Sequence, residues 1–223
     1  MPDGVALLEK PGWLAVLERA AAGHLRSPVP KQDRSRRRKE EVLKAATRVF
    51  ARDGIANATI ADIAAEAGVP ASSIYDYCAG KQELAYEIPV QRLAAFYNAF
   101  LAKARAEPTM RARVRLFMMM AVDYARRDPD WARVLYLEVW PSVAIQEARV
   151  REAVDDFGRI IVEMLREGAR LGEWSKALDP YRMATILMGS VTHMIITWLL
   201  YRRPRSLTRA AEPMIEQLLT LLT

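Results

Sequence analysis

From Arg36 to the C-terminus, apolar residues recur at intervals of three and four with hardly a break, and the strict alternation of a half-buried strand is almost absent. The chain is therefore read as all-α. The spacing predicts helices over about 35–53, 60–67, 71–78, 81–105, 109–127, 130–140, 144–171, 179–201 and 207–222. With 223 residues, 52% of them hydrophobic, there is material for one large domain, or a small and a medium one, with an ample core. The single cysteine, Cys78, excludes an internal disulfide and points to a reducing cytoplasm, and two histidines cannot assemble a usual zinc set. We expect no metal and no cofactor.

The formal net charge of +6 is unevenly placed. Lys31, Arg34, Arg36, Arg37, Arg38 and Lys39 stand against the single Asp33, so nearly the whole excess lies in nine residues. Residues 40–81 are slightly acidic by comparison. Such a run is either a solvated tail or an arm for nucleic acid, and the residues C-terminal to it have to decide. Before it, Trp13 to Leu25 has the pattern of a short amphipathic helix, closed by Pro28 and Pro30. Asp3 and Glu9 at the start, with Glu18 and Arg19 inside the apolar stretch, do not suit a secretory signal. We expect this extension to pack loosely on the rest or to be left mobile.

The informative chemistry lies between Val42 and Lys81. Val42, Leu43, Ala46, Val49 and Phe50 form one apolar stripe, and Gly54 ends that helix where a left-handed residue is needed. Thr59 is placed as an N-cap, with Asp62 three residues on completing a capping-box-like pair. Ile60, Ile63, Ala64 and Ala67 give the buried face of a two-turn helix. Gly68 permits a tight turn, Val69 plugs it, and Pro70 starts a second short helix. Two short helices joined by a glycine turn behind a longer one make a helix-turn-helix, whose second helix enters the major groove.

The stretch running from Arg38-Lys39 through Phe50, Asp53-Gly54, Ala58 to Val69, Ile74-Tyr75-Asp76-Tyr77 and Lys81 to Leu84 resembles the DNA-binding domain of TetR-family transcriptional regulators. The resemblance implies an extension over 1–30, a basic arm and helix-turn-helix DNA-binding domain over 31–82, and a ligand-binding and dimerisation domain over 83–223. It further implies a cytoplasmic homodimer on a palindromic double-stranded operator, acting as a ligand-released repressor or as an activator. Two positions depart from the family pattern: Cys78 stands where Phe is usual, and Pro70 replaces a Ser or Thr cap. We read Cys78 as a small buried hydrophobe.

By the same resemblance, Ala71, Ser72 and Ser73 face the bases, and their short side chains give weak direct readout. Arg34, Arg36, Arg37 and Arg38 are then candidates for the minor groove or the phosphates. Thr59, Tyr75, Tyr77 and Lys81 are candidates for phosphate contact. For each tyrosine the alternative is core packing; we place Tyr77 outward and Tyr75 partly buried.

Met183 to Tyr201 is uncharged and ends in an arginine cluster, which suits a membrane span by length. Thr185, Gly189, Ser190, Thr192, His193 and Thr197 dilute it, and a buried helix serves as well, so we expect no membrane. In family terms this helix and the last one form the dimer seam, with Gly189 and Ser190 allowing close approach. His193 is expected in the core. Nine of the ten methionines fall between Met110 and Met214. Phe96, Phe100, Phe117, Met120, Tyr124, Trp140, Phe157, Met164 and Met188 are the candidates for an apolar effector pocket. The segment from Asp128-Pro129-Asp130 to Gly172-Glu173 is similar to the acyl-CoA-responsive branch, so a fatty acyl-CoA is a candidate small-molecule effector. The arginines at 111, 113 and 115 or at 202, 203 and 205 would then meet its phosphates. An enzyme reading lacks a supporting nucleophile–base arrangement or a glycine-rich phosphate loop.

Overall fold

A computed structural model describes residues 11–23, 33–142 and 147–222, and among these the chain is helical with no strand. The long helix α2 (Asp33–Asp53) is followed by the short α3 (Ile60–Ala67) and α4 (Ala71–Ile74). Val42, Leu43, Ala46, Val49 and Phe50 are buried as expected, together with Ile63 and Ala64 of α3, Ile74 of α4 and Cys78. Gly54 and Gly68 end α2 and α3 with φ of 79° and 66°, a region in which a side chain is strained. Cys78 fills the core position in place of a larger ring, and burial pushes its thiol pKa up.

The larger body is built from α5 (Lys81–Ala104), α6 (Met110–Arg127), α7 (Pro129–Arg133), α8 (Ala148–Leu171), α9 (Pro180–Tyr201) and α10 (Leu207–Leu219). Between α7 and α8 the helix widens into a π-helical turn, Val134–Val139, where 130–140 reads in sequence as one plain helix. The centre is aromatic: Phe117 lies 5.0 Å from Phe96, 5.0 Å from Phe100 and 4.6 Å from Phe157, ring centre to ring centre. Edge-to-face and tilted pairs of this kind suit the ring quadrupole.

The N-terminal extension is not loosely packed. Helix α1 (Gly12–Gly23) buries Trp13, Leu17, Ala20 and Ala21 against α5 and α8. Burying Leu17 alone stabilises the seat by about 2 kcal/mol. Arg19 donates to Asp156 at 2.8 Å, the Arg113 guanidinium sits 5.2 Å from the Trp13 ring, and Arg105 pairs with Glu18. Asp156 is 1% exposed and also takes Arg159 at 3.3 Å, so its charge is compensated where it is buried. Leu25, Pro28, Pro30 and Lys31, which by sequence belong to the helix end, linker and arm, lie outside the described residues.

Helix α9 turns Ala184, Leu187, Val191, Ile195 and Leu199 into the core, while Ile186, Gly189, His193 and Leu200 are exposed along the other side. His193 is therefore not a core residue, contrary to the sequence expectation. It falls on the helix face that this chain leaves uncovered.

Candidate functional site

The recognition unit is organised by its caps. The Thr59 hydroxyl accepts the backbone N–H of Asp62 at 3.1 Å, and the Asp62 carboxylate accepts the Thr59 N–H at 2.9 Å and its hydroxyl at 2.6 Å. These bonds to Thr59 hold the Asp62 carboxyl below its ordinary pKa. At the next helix Pro70 provides no side-chain cap, and regular helix stops at Ile74 rather than 78.

That early stop reverses the expected tyrosines. Tyr75 is 59% exposed, while Tyr77 is half-buried against the core. Ala71 and Ser72 are exposed and Ser73 is half-buried. Asp76, absent from the sequence-derived candidates, is exposed beside them, so the outward surface of this segment holds an acid and no base. A carboxylate there suits the amino group of cytosine. Its signal was available in the sequence as the one charged residue between the two tyrosines.

The basic run is helical from Asp33, not a free arm, and its members differ. Arg37 is exposed, Arg36 is exposed, and Arg38 donates to Glu41 at 3.0 Å. Lys39 is turned inward onto Glu87 of α5 at 2.7 Å, where only 7% of the carboxylate side chain is exposed. The Arg34 side chain lies outside the described residues. Lys81 also turns inward: its Nζ donates to the carbonyls of Ala56 at 3.0 Å and Ala58 at 2.8 Å, in the α2–α3 loop. An ammonium has three donors, so one remains for a phosphate.

In the body, Phe96, Tyr124, Trp140 and Phe157 line a small apolar cavity with Leu93, Ala121, Trp131, Leu135, Tyr136 and Val154. Its free volume is about 10 Å³, room for about one water. Phe100 and Phe117 stand one layer behind, fully buried; Met120 and Met164 are buried in the core and do not line the cavity. Met188 lines a different space, an open groove of about 730 Å³ between α8 and α9, with Arg159, Arg166 and Tyr181. Cavity and groove share Trp140, Val154 and Phe157, and Trp140 is 40% exposed at the junction. Two polar groups belong to the cavity wall. The Trp131 indole N–H is buried without an acceptor among the described residues, and burial keeps the Tyr136 hydroxyl protonated by raising its pKa.

The expected phosphate-binding arginines on α6 have structural work instead. Arg111 donates to Leu219 O, Arg113 to the carbonyls of Ala104 and Glu107, and Arg115 pairs with Glu212 and Glu216. Of the other cluster, the Arg202 guanidinium lies 5.0 Å from the Trp198 ring, and Arg203 and Arg205 are exposed.

Residues 42–88 match the family model for bacterial regulatory proteins of the tetR family, and residues 90–221 match that for the C-terminal region of YsiA-like proteins. The fatty acid metabolism regulator protein of Bacillus subtilis (strain 168) is 21% identical over 180 residues, covering 81% of this chain and 93% of that protein. Among solved structures, Bacillus subtilis FadR in complex with stearoyl-CoA superposes with a TM-score of 0.74 at 20% identity, over 81% of this chain and 97% of that one. The ketosteroid transcriptional regulator KstR2 of Mycobacterium tuberculosis gives a TM-score of 0.69 at 18% identity, over 87% and 98%.

Proposed function

The chain belongs to the TetR family of bacterial regulatory proteins, DNA-binding regulators of transcription, and on that premise we propose a homodimeric repressor released from a palindromic operator by an amphipathic effector with an apolar tail. The observation that carries the reading is that a small aromatic cavity and an open groove bearing Arg159 and Arg166 share Trp140, Val154 and Phe157 as a common wall. An acyl tail suits the first; in the second, Arg159 and Arg166 are paired with Asp156 and Glu163, so an anionic head group has to draw them from those carboxylates. The similarity to a regulator solved with stearoyl-CoA supports a fatty acyl-CoA. The tail requires the aromatic side chains to move, because the cavity as it stands holds no more than about one water.

DNA binding belongs to residues 31–82, with Thr59, Ala71, Ser72, Tyr75, Asp76, Arg36 and Arg37 as the contact set. Effector binding and dimerisation belong to 83–223. The exposed side of α9, where Gly189 has nothing within 4 Å of the space a Cβ would take, suits close approach of a second copy. Two-fold symmetry then sets the recognition segments about 34–36 Å apart for a palindrome. A regulator of transcription works where the DNA is, which supports a cytoplasmic location, and the reading requires no catalytic group.

The experiment is selection of bound fragments from random DNA, followed by addition of stearoyl-CoA. Enrichment of a palindrome and its release by the acyl-CoA are the expected results. Absence of any enriched palindrome at moderate salt would sink the reading, and release by an unrelated apolar compound alone would reassign the effector.

A further inference from the structure

The wall of the aromatic cavity is fastened to the recognition unit by two side chains. Leu135, Tyr136 and Trp140 line the cavity from the α7–π segment, with the Tyr136 and Trp140 rings stacked 5.8 Å apart. From the same segment, Glu138 accepts the backbone N–H of Ile55 at 2.9 Å, 83 residues away in the α2–α3 loop. Its carboxylate is seated on Gly54, where an added Cβ would come within 3.2 Å of the oxygen. Arg133 donates to Ala51 O at the end of α2 at 3.2 Å and to Leu199 O of α9 at 3.0 Å.

We propose that Arg133 and Glu138 are positioning residues for DNA binding, holding the recognition unit on the cavity wall so that whatever fills the cavity acts by moving the π-helical turn that carries them. The proposal rests on the reading of the cavity as the effector site and deepens it.

The π-helical turn is the wall that yields. Helices α5, α6 and α8 meet the cavity with regular α-helical stretches, whereas Val134–Val139 is closed by wider bonds such as Trp140 N–H to Leu135 O at 2.9 Å. Turns of this kind are rare and cluster at functional positions. A cavity of about 10 Å³ cannot take even a short alkyl chain without displacing a wall. A displacement of about 1 Å carries a 2.9 Å bond out of hydrogen-bonding range, so Ile55 N–H is released early. That loop is held from the other side by Lys81, at Ala56 O and Ala58 O, and leads directly into the Thr59 cap. Loss of the Glu138 bond therefore leaves Lys81 of α5 as the body's remaining side-chain hold on the loop, with Arg133 on the end of α2 before it, and lets α3 and α4 reorient together.

A double-mutant cycle on operator affinity tests this without an effector. Ala121→Leu pushes three more carbons into a cavity that lacks the room, and Glu138→Ala removes the acceptor from Ile55 N–H. Each weakens binding about tenfold, and the double variant is no weaker than the worse single one. Glu138→Gln keeps a carbonyl acceptor and stays at the wild-type affinity. Arg133→Lys weakens binding, because one ammonium does not span Ala51 O and Leu199 O as the guanidinium does. Multiplying effects in the double variant, or wild-type affinity in Glu138→Ala, overturns the proposal. In a second arm, the ratio of operator affinities without and with stearoyl-CoA falls towards one in Glu138→Ala and is kept in Glu138→Gln; an unchanged ratio in Glu138→Ala overturns it equally. A wild-type protein that stearoyl-CoA fails to release speaks against the acyl effector, and the cycle then decides the coupling by itself.

Discussion

The capping box of α3 joins Thr59 to Asp62, three residues apart, whereas the ion pair that seats α1 joins Arg19 to Asp156, 137 residues apart. That contrast runs through the molecule. The recognition unit is assembled from neighbours: a cap, a glycine turn, and a loop that Lys81 clasps from 23 and 25 residues away. The body is assembled at a distance, by rings from α5, α6 and α8 meeting in one cluster and by Tyr97 donating to Ala153 O across 56 residues. Local construction suits a part that must fold the same way on many bodies. Long-range construction suits a part whose interior has to be re-shaped for each effector.

If the contrast holds, the largest cost falls in the body. Phe117→Ala should destabilise the protein by about 3–5 kcal/mol in denaturant unfolding, since Phe117 is fully buried against the rings of Phe96, Phe100 and Phe157. A small loss would mean that the cluster is loosely packed. Next comes the clasp: Lys81→Ala should cost about 1–2 kcal/mol and weaken binding to every DNA sequence. Its salt slope separates two roles, falling by about one if the third donor meets a phosphate and staying unchanged if Lys81 serves the loop alone.

Asp76→Asn should leave stability nearly untouched and change specificity, removing about 1–3 kcal/mol of preference for cytosine at one position in each half-site. An unaltered selected sequence would place Asp76 away from the bases. Thr59→Ala is the smallest, about 1 kcal/mol. The Asp62 carboxyl titrates below its ordinary value when folded, so its contribution is complete above pH about 4 and is lost as pH falls through the lowered value. The Thr59→Ala cost should therefore shrink in acid, and a cost that is constant with pH would contradict the reciprocal bonds.

The same contrast explains what could be read from the sequence. Thr59, Asp62, Gly68 and Pro70 carry their roles in residue type and spacing, and the helix-turn-helix follows from them. The two tyrosines exchange places because helix α4 ends at Ile74, one turn short of where its apolar pattern ends. Val134–Val139 gives no sign of its π-helical form, since a run of mostly apolar residues has the same pattern in either helix. Arg133 and Glu138 look like ordinary surface charges, and only the fold brings them to Ala51 and Ile55. Among the pocket residues Phe96, Tyr124, Trp140 and Phe157 are legible by type, whereas Trp131 and Tyr136, equally aromatic, are missed because only the fold turns them to the same cavity. Leu93, Ala121 and Val154 are not legible either, because small aliphatic residues acquire a role only from what they face.

The docking of α1 changes how the recognition unit is borne. Helix α1, which precedes it in the chain, and helix α5, which follows it, are both packed into the body, and α1 lies on α5 itself. The DNA-reading head is thus flanked in sequence by two anchored helices, and between them Arg133 and Glu138 hold it on the cavity wall. It behaves less like a bead at the end of a string than like a handle fixed at both ends, whose freedom to tilt is set by the side chains beneath it.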